Sequence, residues 1–285
     1  MGVVNVTPDS FSDGGRFLEP EAAVAHGLDL VAAGADVLDV GGESTRPGAD
    51  PVPADEELTR VLPVVTRLAA EAGCPVSIDT SKAVVAERAL AAGATIVNDV
   101  TAGRADPAIL DVAAEAGAGY VVMHMRGEPR TMQRDPRYDD VVGEVGAFLV
   151  ERLDAARAAG MAAAALAADP GIGFGKTLAH NLALLARLPE LVEAVGVPLL
   201  VGTSRKRFIG AVLGAAGDTG AAGDTGGTSG ALGAELPVDA REEGTLATVV
   251  FAVERGARLV RVHDARGAAR AIRLLDALRR AGEAA

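Results

Sequence analysis

The run AVVAERALAAGATIVNDVTAG (83–103) contains the unit from which the fold is read. Its Ala-, Leu- and Glu-bearing start suits a helix over 82–92, and Gly93 stands where a left-handed residue would stop that helix. The aliphatic stretch Thr95–Asp99 then reads as a strand, and NDVTAG (98–103) as a polar loop at its far end. The same phrase recurs along the chain. Strands are expected at Met1–Val6, Ala35–Val40, Pro75–Asp79, Thr95–Asp99, Gly119–His124, Ala164–Asp169, Val197–Gly202 and Arg258–His263. Helices are expected near 20–33, 55–72, 82–92, 106–116, 138–159, 178–195, 205–213 with 240–255, and 266–281. Gly34, Gly73, Gly93, Gly117, Gly160, Gly196 and Gly256 punctuate the helix ends.

Eight such units in 285 residues define an α/β class and predict a (β/α)8 TIM barrel, for which ~250 residues is typical. One domain over 1–285 accommodates them all. A doubly wound open sheet is the alternative, but no G-x-G-x-x-G follows the first strand. Residues 214–236 repeat GDTG and are rich in Gly, Ala, Thr and Ser, so they read as a flexible surface loop that splits the seventh helical region.

Composition narrows the function. With 27 Lys and Arg against 39 Asp and Glu, the formal charge of −12 disfavours nucleic acid and anionic membranes as partners. An anionic substrate must then be held by a few local cations. Lysine occurs only at Lys82, Lys176 and Lys206. The lone Cys74 permits no intrachain disulfide, no run is long and apolar enough to span a membrane, and Met1–Asn5 carries no basic leader region. The expectation is a cytoplasmic protein.

In a barrel the active site is built from loops that follow the strand ends. These loops hold the chain's polar residues: NVTPDSFSDGG (5–15), GGESTRPGA (41–49), IDTSK (78–82), NDVTAG (98–103), MHMRG (123–127), DPGIGFGKT (169–177), GTSRKRFIG (202–210) and RVHD (261–264). The helix-to-strand connections are short and mostly Gly and Ala. All three lysines fall on the loop side, and this asymmetry points to an enzyme. There is no G-x-S-x-G or H-E-x-x-H, and one Cys with four scattered His gives no zinc spacing. The chemistry expected is positioning and charge stabilisation rather than covalent attack.

Residue by residue, alternatives stand side by side. Asn5 is a strand-end amide, which by itself reads as a cap or a turn-stabilising group. Asp79, Asn98 and Asp169 end strands 3, 4 and 6, where each could cap a helix or could accept hydrogen bonds from a ligand edge. Arg261 and His263 alternate on strand 8, so both side chains point the same way, as an anion pocket would require. His26 and His180 fall in helices and read as structural. His124, Met125 and Asp99 are open.

NVTPDSFSDGG, ESTRPGA and DPGIGFGK, followed in order by SRK and RVHD, resemble the dihydropteroate synthases, and the likeness runs over almost the whole chain. That resemblance implies transfer of a dihydropterin from its diphosphate to p-aminobenzoate, with release of pyrophosphate in folate biosynthesis. It implies Asn5 beside the diphosphate and its Mg2+, with Arg261 and His263 on the diphosphate. It places Thr45, Asp79, Asn98, Asp169 and Lys206 on the pterin diphosphate. It puts Phe11, Arg46, Pro47, Phe174 and Ser204 around the aminobenzoate, with Asp9, Ser10 and Asp13 on a loop that closes over the substrates. Glu43 is expected to order its loop. Arg207 stands where many members have Ser, a departure beside the aminobenzoate contacts. A homodimer is implied as well. The rivals are an inactive pterin-binding paralogue, which would lack the Asn, Lys, Arg or His side chains, and a related methyltransferase, which would lack NVTPDSFSDGG. An isomerase or aldolase barrel would instead need a Schiff-base lysine or a glutamate base.

Overall fold

A computed structural model describes residues 1–6, 19–46, 48–216 and 235–283. Among them, strands and helices alternate. β1 (Gly2–Asn5), β2 (Leu38–Gly41), β3 (Val76–Asp79) and β4 (Ile96–Asp99) precede β5 (Gly119–Met123), β6 (Leu166–Asp169), β7 (Leu200–Val201) and β8 (Leu259–Val260). Between and after them lie α1 (Glu19–Ala32), α2 (Ala54–Glu71), α3 (Ala83–Ala91), α4 (Ala108–Glu115) and α5 (Val141–Ala158). α6 (Leu178–Ala186), α7 (Leu188–Val195), α8 (Arg207–Ala216), α9 (Glu242–Glu254) and α10 (Ala265–Glu283) complete the ring. The seven helix-ending glycines all adopt positive φ.

β1 to β6 pair in sequence order, all parallel, and β7 pairs with β8. Two bridges close the circle. Ala168 on β6 meets Leu199 just before β7, and Gly2 on β1 meets Val262 just after β8. At that seam Val3 N donates to Val262 O at 3.1 Å and Val262 N to Met1 O at 3.0 Å. A sheet whose last strand returns to its first has no open edge, so the doubly wound alternative falls and the barrel stands.

Alternation along each strand sorts the side chains. Val4, Leu38, Val40, Ile78, Val97 and Val122 belong to the large core between strands and helices, while Asp39, Ser77 and Asn98 are buried polar groups facing the barrel axis. The structure differs from expectation in three places. The helix expected at 178–195 breaks at Arg187, because Pro189 has no N–H for a helix interior and sits instead in the first turn of α7. β7 and β8 are shorter than expected because Leu199 O accepts from both Arg258 N (2.9 Å) and Leu259 N (3.1 Å), which breaks the even ladder there. The loop expected from 214 starts later, since α8 runs to Ala216; residues 217–234 lie outside the described residues.

Candidate active site

The strand register assembles the site. Asn5, Gly41, Asp79 and Asn98 stand in one row at the strand ends, with Val121 and Ala167 continuing it. Asp169, paired with Met123, lies one inward step higher on β6. One inward step lower, between Val3 and Ser77, is Asp39.

Asp39 is the residue the sequence reading missed. Fully buried, its Oδ2 accepts from Arg261 Nε at 2.6 Å and from Asn98 Nδ2 at 3.0 Å. Arg261 also donates through Nη2 to Asp79 Oδ2 at 2.8 Å. The guanidinium therefore braces β2, β3 and, through Asp39, β4. Burial pushes Asp79 up to about 7; Arg261 opposes this and the Asp39 charge reinforces it. Two donors of the Arg261 fork are engaged on carboxylates, and Nη1 has no partner among the described residues. Of the two aspartates in ADVLDV (35–40), Asp39, set between Leu38 and Val40, was the available signal, because aspartate in a buried strand needs a partner.

On the opposite wall Asp169 is also pushed up by burial, which Lys206 counters, and its Oδ1 accepts from Gly171 N at 2.7 Å. Lys206 donates to the carbonyl of Ile172 and lies 4.6 Å from the Phe174 ring centroid. Its own pKa is pulled down to about 8 by burial, against the attraction of Asp169. Phe174 packs on Val100, Met123, Met125 and Met132, so an apolar wall stands beside these polar groups and Met125 belongs to it. A cavity of about 380 Å³ opens between the loops after β2, β3, β4 and β5, with Thr45, Val100 and Met125 among its lining.

At the rim, Ser204 Oγ lies 2.9 Å from His263 Nδ1 and accepts from His263 N at 3.2 Å. Because that hydroxyl oxygen accepts from the backbone, its own proton is available to Nδ1. The imidazole then carries its hydrogen on Nε2. Burial, with Arg205, Arg261 and Arg46 nearby, pulls His263 down to about 3, so the ring is neutral. Arg46 is exposed. Arg207, the departure from the family pattern, points outward and pairs with Glu235 at 2.8 Å.

Other groups prove structural. Asp99 faces the helices and accepts from Thr101 N, Thr101 Oγ1, Gly103 N and Tyr120 Oη. His180 completes a capping box with Thr177 at the start of α6, and His26 is exposed on α1. Lys176 is buried, with Nζ 2.9 Å from His124 Nδ1 and 3.0 Å from Phe174 O, joining the loops after β5 and β6. Burial pulls Lys176 well down, and pulls His124 to about 3. Phe11, Asp9, Ser10, Asp13 and Pro47 lie outside the described residues.

A parallel barrel whose mouth joins carboxylates and an amide to two cations and an apolar wall defines the class of pterin-binding enzymes. The family profile described as "Pterin binding enzyme" matches residues 1–263. The dihydropteroate synthase of Mycobacterium leprae is 50% identical over 283 residues, covering 99% of this chain and 94% of that protein. The Bacillus subtilis dihydropteroate synthase is 42% identical over 278 residues, 98% of this chain and 87% of that protein. Among solved structures, Xanthomonas albilineans dihydropteroate synthase with 4-aminobenzoic acid superposes with a TM-score of 0.86 at 48% identity. It covers 98% of this chain and 92% of its own. The same enzyme in complex with 7,8-dihydropteroate gives 0.83 at 46% identity, with the same coverage. The chain belongs to the dihydropteroate synthase family.

Proposed function

We propose that this single barrel domain condenses 6-hydroxymethyl-7,8-dihydropterin diphosphate with p-aminobenzoate, giving 7,8-dihydropteroate and pyrophosphate. The observation that carries the reading is the joining of Asp39, Asp79, Asn98 and Arg261 into one hydrogen-bonded group at the mouth, with Asp169 and Lys206 across from it. Asp79, Asn98 and Asp169 present acceptors, and Asn98 also a donor, to the ring N–H, exocyclic amine and ring nitrogens of a pterin. The methionine wall covers the flat face of the ring, Lys206 sits at its edge, and Phe174, packed on that wall, borders the aminobenzoate. The bond from the pterin methylene to the diphosphate oxygen breaks, and the electron pair leaves with pyrophosphate. The new C–N bond forms from the aminobenzoate nitrogen, which loses a proton. Arg261, through Nη1, and the Nε2–H of His263 steady the leaving charge. Thr45 contacts the pterin diphosphate. Arg46, Pro47, Phe11 and Ser204 border the aminobenzoate, and Asp9 and Asp13 belong to the closing loop.

Mg2+ is the cofactor of this reading. Among the described residues no group of three or more His, Cys, Asp or Glu is placed to hold a metal, and the donor chemistry fits an ion shared by the Asn5 amide oxygen, the diphosphate and water. Bound there, it would neutralise charge on the leaving group. No helix among the described residues is long and apolar enough to cross a membrane, and a cytoplasmic location belongs to this proposal. So does a homodimer. Its support is the exposed apolar side chains Leu182, Val212, Leu213 and Phe251 on the adjoining helices α6, α8 and α9.

Mixing the protein with Mg2+, the pterin diphosphate and p-aminobenzoate should release pyrophosphate and dihydropteroate in equal amounts. Well-folded protein that releases none would identify an inactive paralogue. Aminobenzoate is expected to bind only after pyrophosphate and Mg2+ are present; equal binding without them overturns the ordered scheme.

A further inference from the structure

The second loop, residues 42–53, carries Thr45 and Arg46 but has little backbone support. Among the described residues, three backbone hydrogen bonds involve it: Gly48 N to Pro129 O, Ala49 N to Arg46 O and, where it enters α2, Glu57 N to Pro53 O. Side chains do the rest. Glu43 reaches across the loop, its Oε1 accepting from Val52 N at 2.9 Å, so residues 43 and 52 are drawn into a neck. Its Oε2 accepts from Lys82 Nζ at 2.6 Å. Lys82 also donates to Glu57 Oε2 at 2.5 Å, and Glu57, in the first turn of α2, is fully buried. Arg60 adds a bond from Nη1 to Gly42 O at 2.7 Å.

One ammonium therefore sits between two carboxylates that approach from different elements. Lys82 itself follows β3 by three residues, and so ties the strand that ends in Asp79 to the neck of the loop. Among the described residues the Glu57 Oε1 atom has no hydrogen-bond partner, and Lys82 is the only side chain bonded to that buried carboxylate. Burial opposes the charge on Lys82, but its bonds to Glu43 and Glu57 outweigh burial and raise its pKa. Lys82 thus stays charged across the working range.

We propose that Lys82 is a positioning residue that fastens the neck of the second loop, through Glu43 and Glu57, and so sets where Thr45 and Arg46 stand over the barrel mouth. The proposal rests on the functional reading above for its kinetic consequence and on geometry alone for its structural one. Removing the ammonium leaves two carboxylates to repel each other, and Glu43 must release the neck to reach water. An arginine in its place keeps the charge and has donors enough for both.

The test uses Lys82→Met, Lys82→Arg and Glu43→Gln with two readouts. With pterin diphosphate saturating, K82M should raise KM for p-aminobenzoate about tenfold with kcat held within about threefold, and K82R should recover most of the loss. Hydrogen exchange in K82M should quicken over 42–53 and stay unchanged over 35–41 and 76–81. Unchanged KM, a fall in kcat alone, or equal damage from K82M and K82R overturns the proposal. If the parent protein proves inactive, the functional reading fails and the exchange pattern alone decides the role of Lys82. Should K82M not fold, E43Q decides by the same two readouts, since it loosens only the loop side of the pair.

Discussion

Replacing Asp39 by Asn probes the ion cluster beneath the site. Asp39 has no exposure, and its Oδ2 takes both the 2.6 Å bond from Arg261 and the 3.0 Å bond from Asn98. Removing one partner of a buried pair costs about 3–5 kcal/mol, because the remaining charge is left uncompensated. In D39N the amide oxygen still accepts one bond and Asp79 still holds Arg261 Nη2, so the expected loss is near the lower figure, about 3 kcal/mol. Urea unfolding followed by far-UV circular dichroism measures it, as the chain has no Trp. With Asn98 and Arg261 no longer fixed, the pterin diphosphate should bind ~100-fold more weakly by titration calorimetry, near 1.4 kcal/mol per decade. The variant also has a signed effect on pH dependence. The Asp39 charge raises Asp79 and the Arg261 charge lowers it. Removing the first and leaving the second wholly to Asp79 must move its titration below 7. Stability within about 1 kcal/mol of the parent, affinity within about threefold, or an acid limb that moves upward would mean that Asp39 does not hold Arg261 and Asn98 in place.

Three further outcomes follow from the same structure. In the parent, kcat/KM for the pterin diphosphate should be bell-shaped: below about 7 the Asp79 acceptor gains a proton, and above about 8 Lys206 loses its charge; initial rates that stay flat from acid to alkaline pH would contradict it. Tyr120→Phe removes the 2.7 Å bond to Asp99 and should cost about 1–2 kcal/mol in denaturant melts, while KM for the pterin diphosphate holds, because Asp99 faces the helices; a shift in that KM would place Asp99 in the site. Gly171→Ala places a Cβ 1.9 Å from His124 O at φ +65°, so a loss of more than ~3 kcal/mol or outright misfolding is expected; a parental melting temperature counts against the described packing of the loops after β5 and β6.

Local chemistry made much of this legible in advance. A helix, a glycine and an aliphatic strand repeat at short range, so the eight units and all seven glycine turns were readable from neighbouring residues. The strand-end polar residues were equally visible, and the structure brings Asp79, Asn98, Asp169, Lys206, Arg261 and His263 to one mouth. What periodicity does not encode is which distant groups meet. Asp39 and Arg261 lie 222 residues apart, and Lys82 and Glu43 lie 39 apart. Asp39 also sits mid-strand, below the loops that the barrel rule singles out. Lys176 looked like a third cation for an anionic ligand, yet it is buried against His124 and a carbonyl, where it holds two loops together.

These placements bear on how an acidic protein accepts an anionic substrate. The depth of the barrel separates the charges. Asp39 lies mid-strand and Asp79 at the end of β3, with Arg261 bonded to both, and Asp169 faces Lys206, so the fields of the carboxylates are met by the two cations. Because burial pushes Asp79 up to about 7, that cluster can shed one negative charge near neutral pH. The rim above carries a neutral His263 and the nearby Arg46 and Arg205. A diphosphate at the rim therefore meets cations and N–H donors first, while the overall charge of −12 is carried largely on the outer helices and loops. The local order of charge along the barrel axis, more than the net charge, decides what this mouth admits.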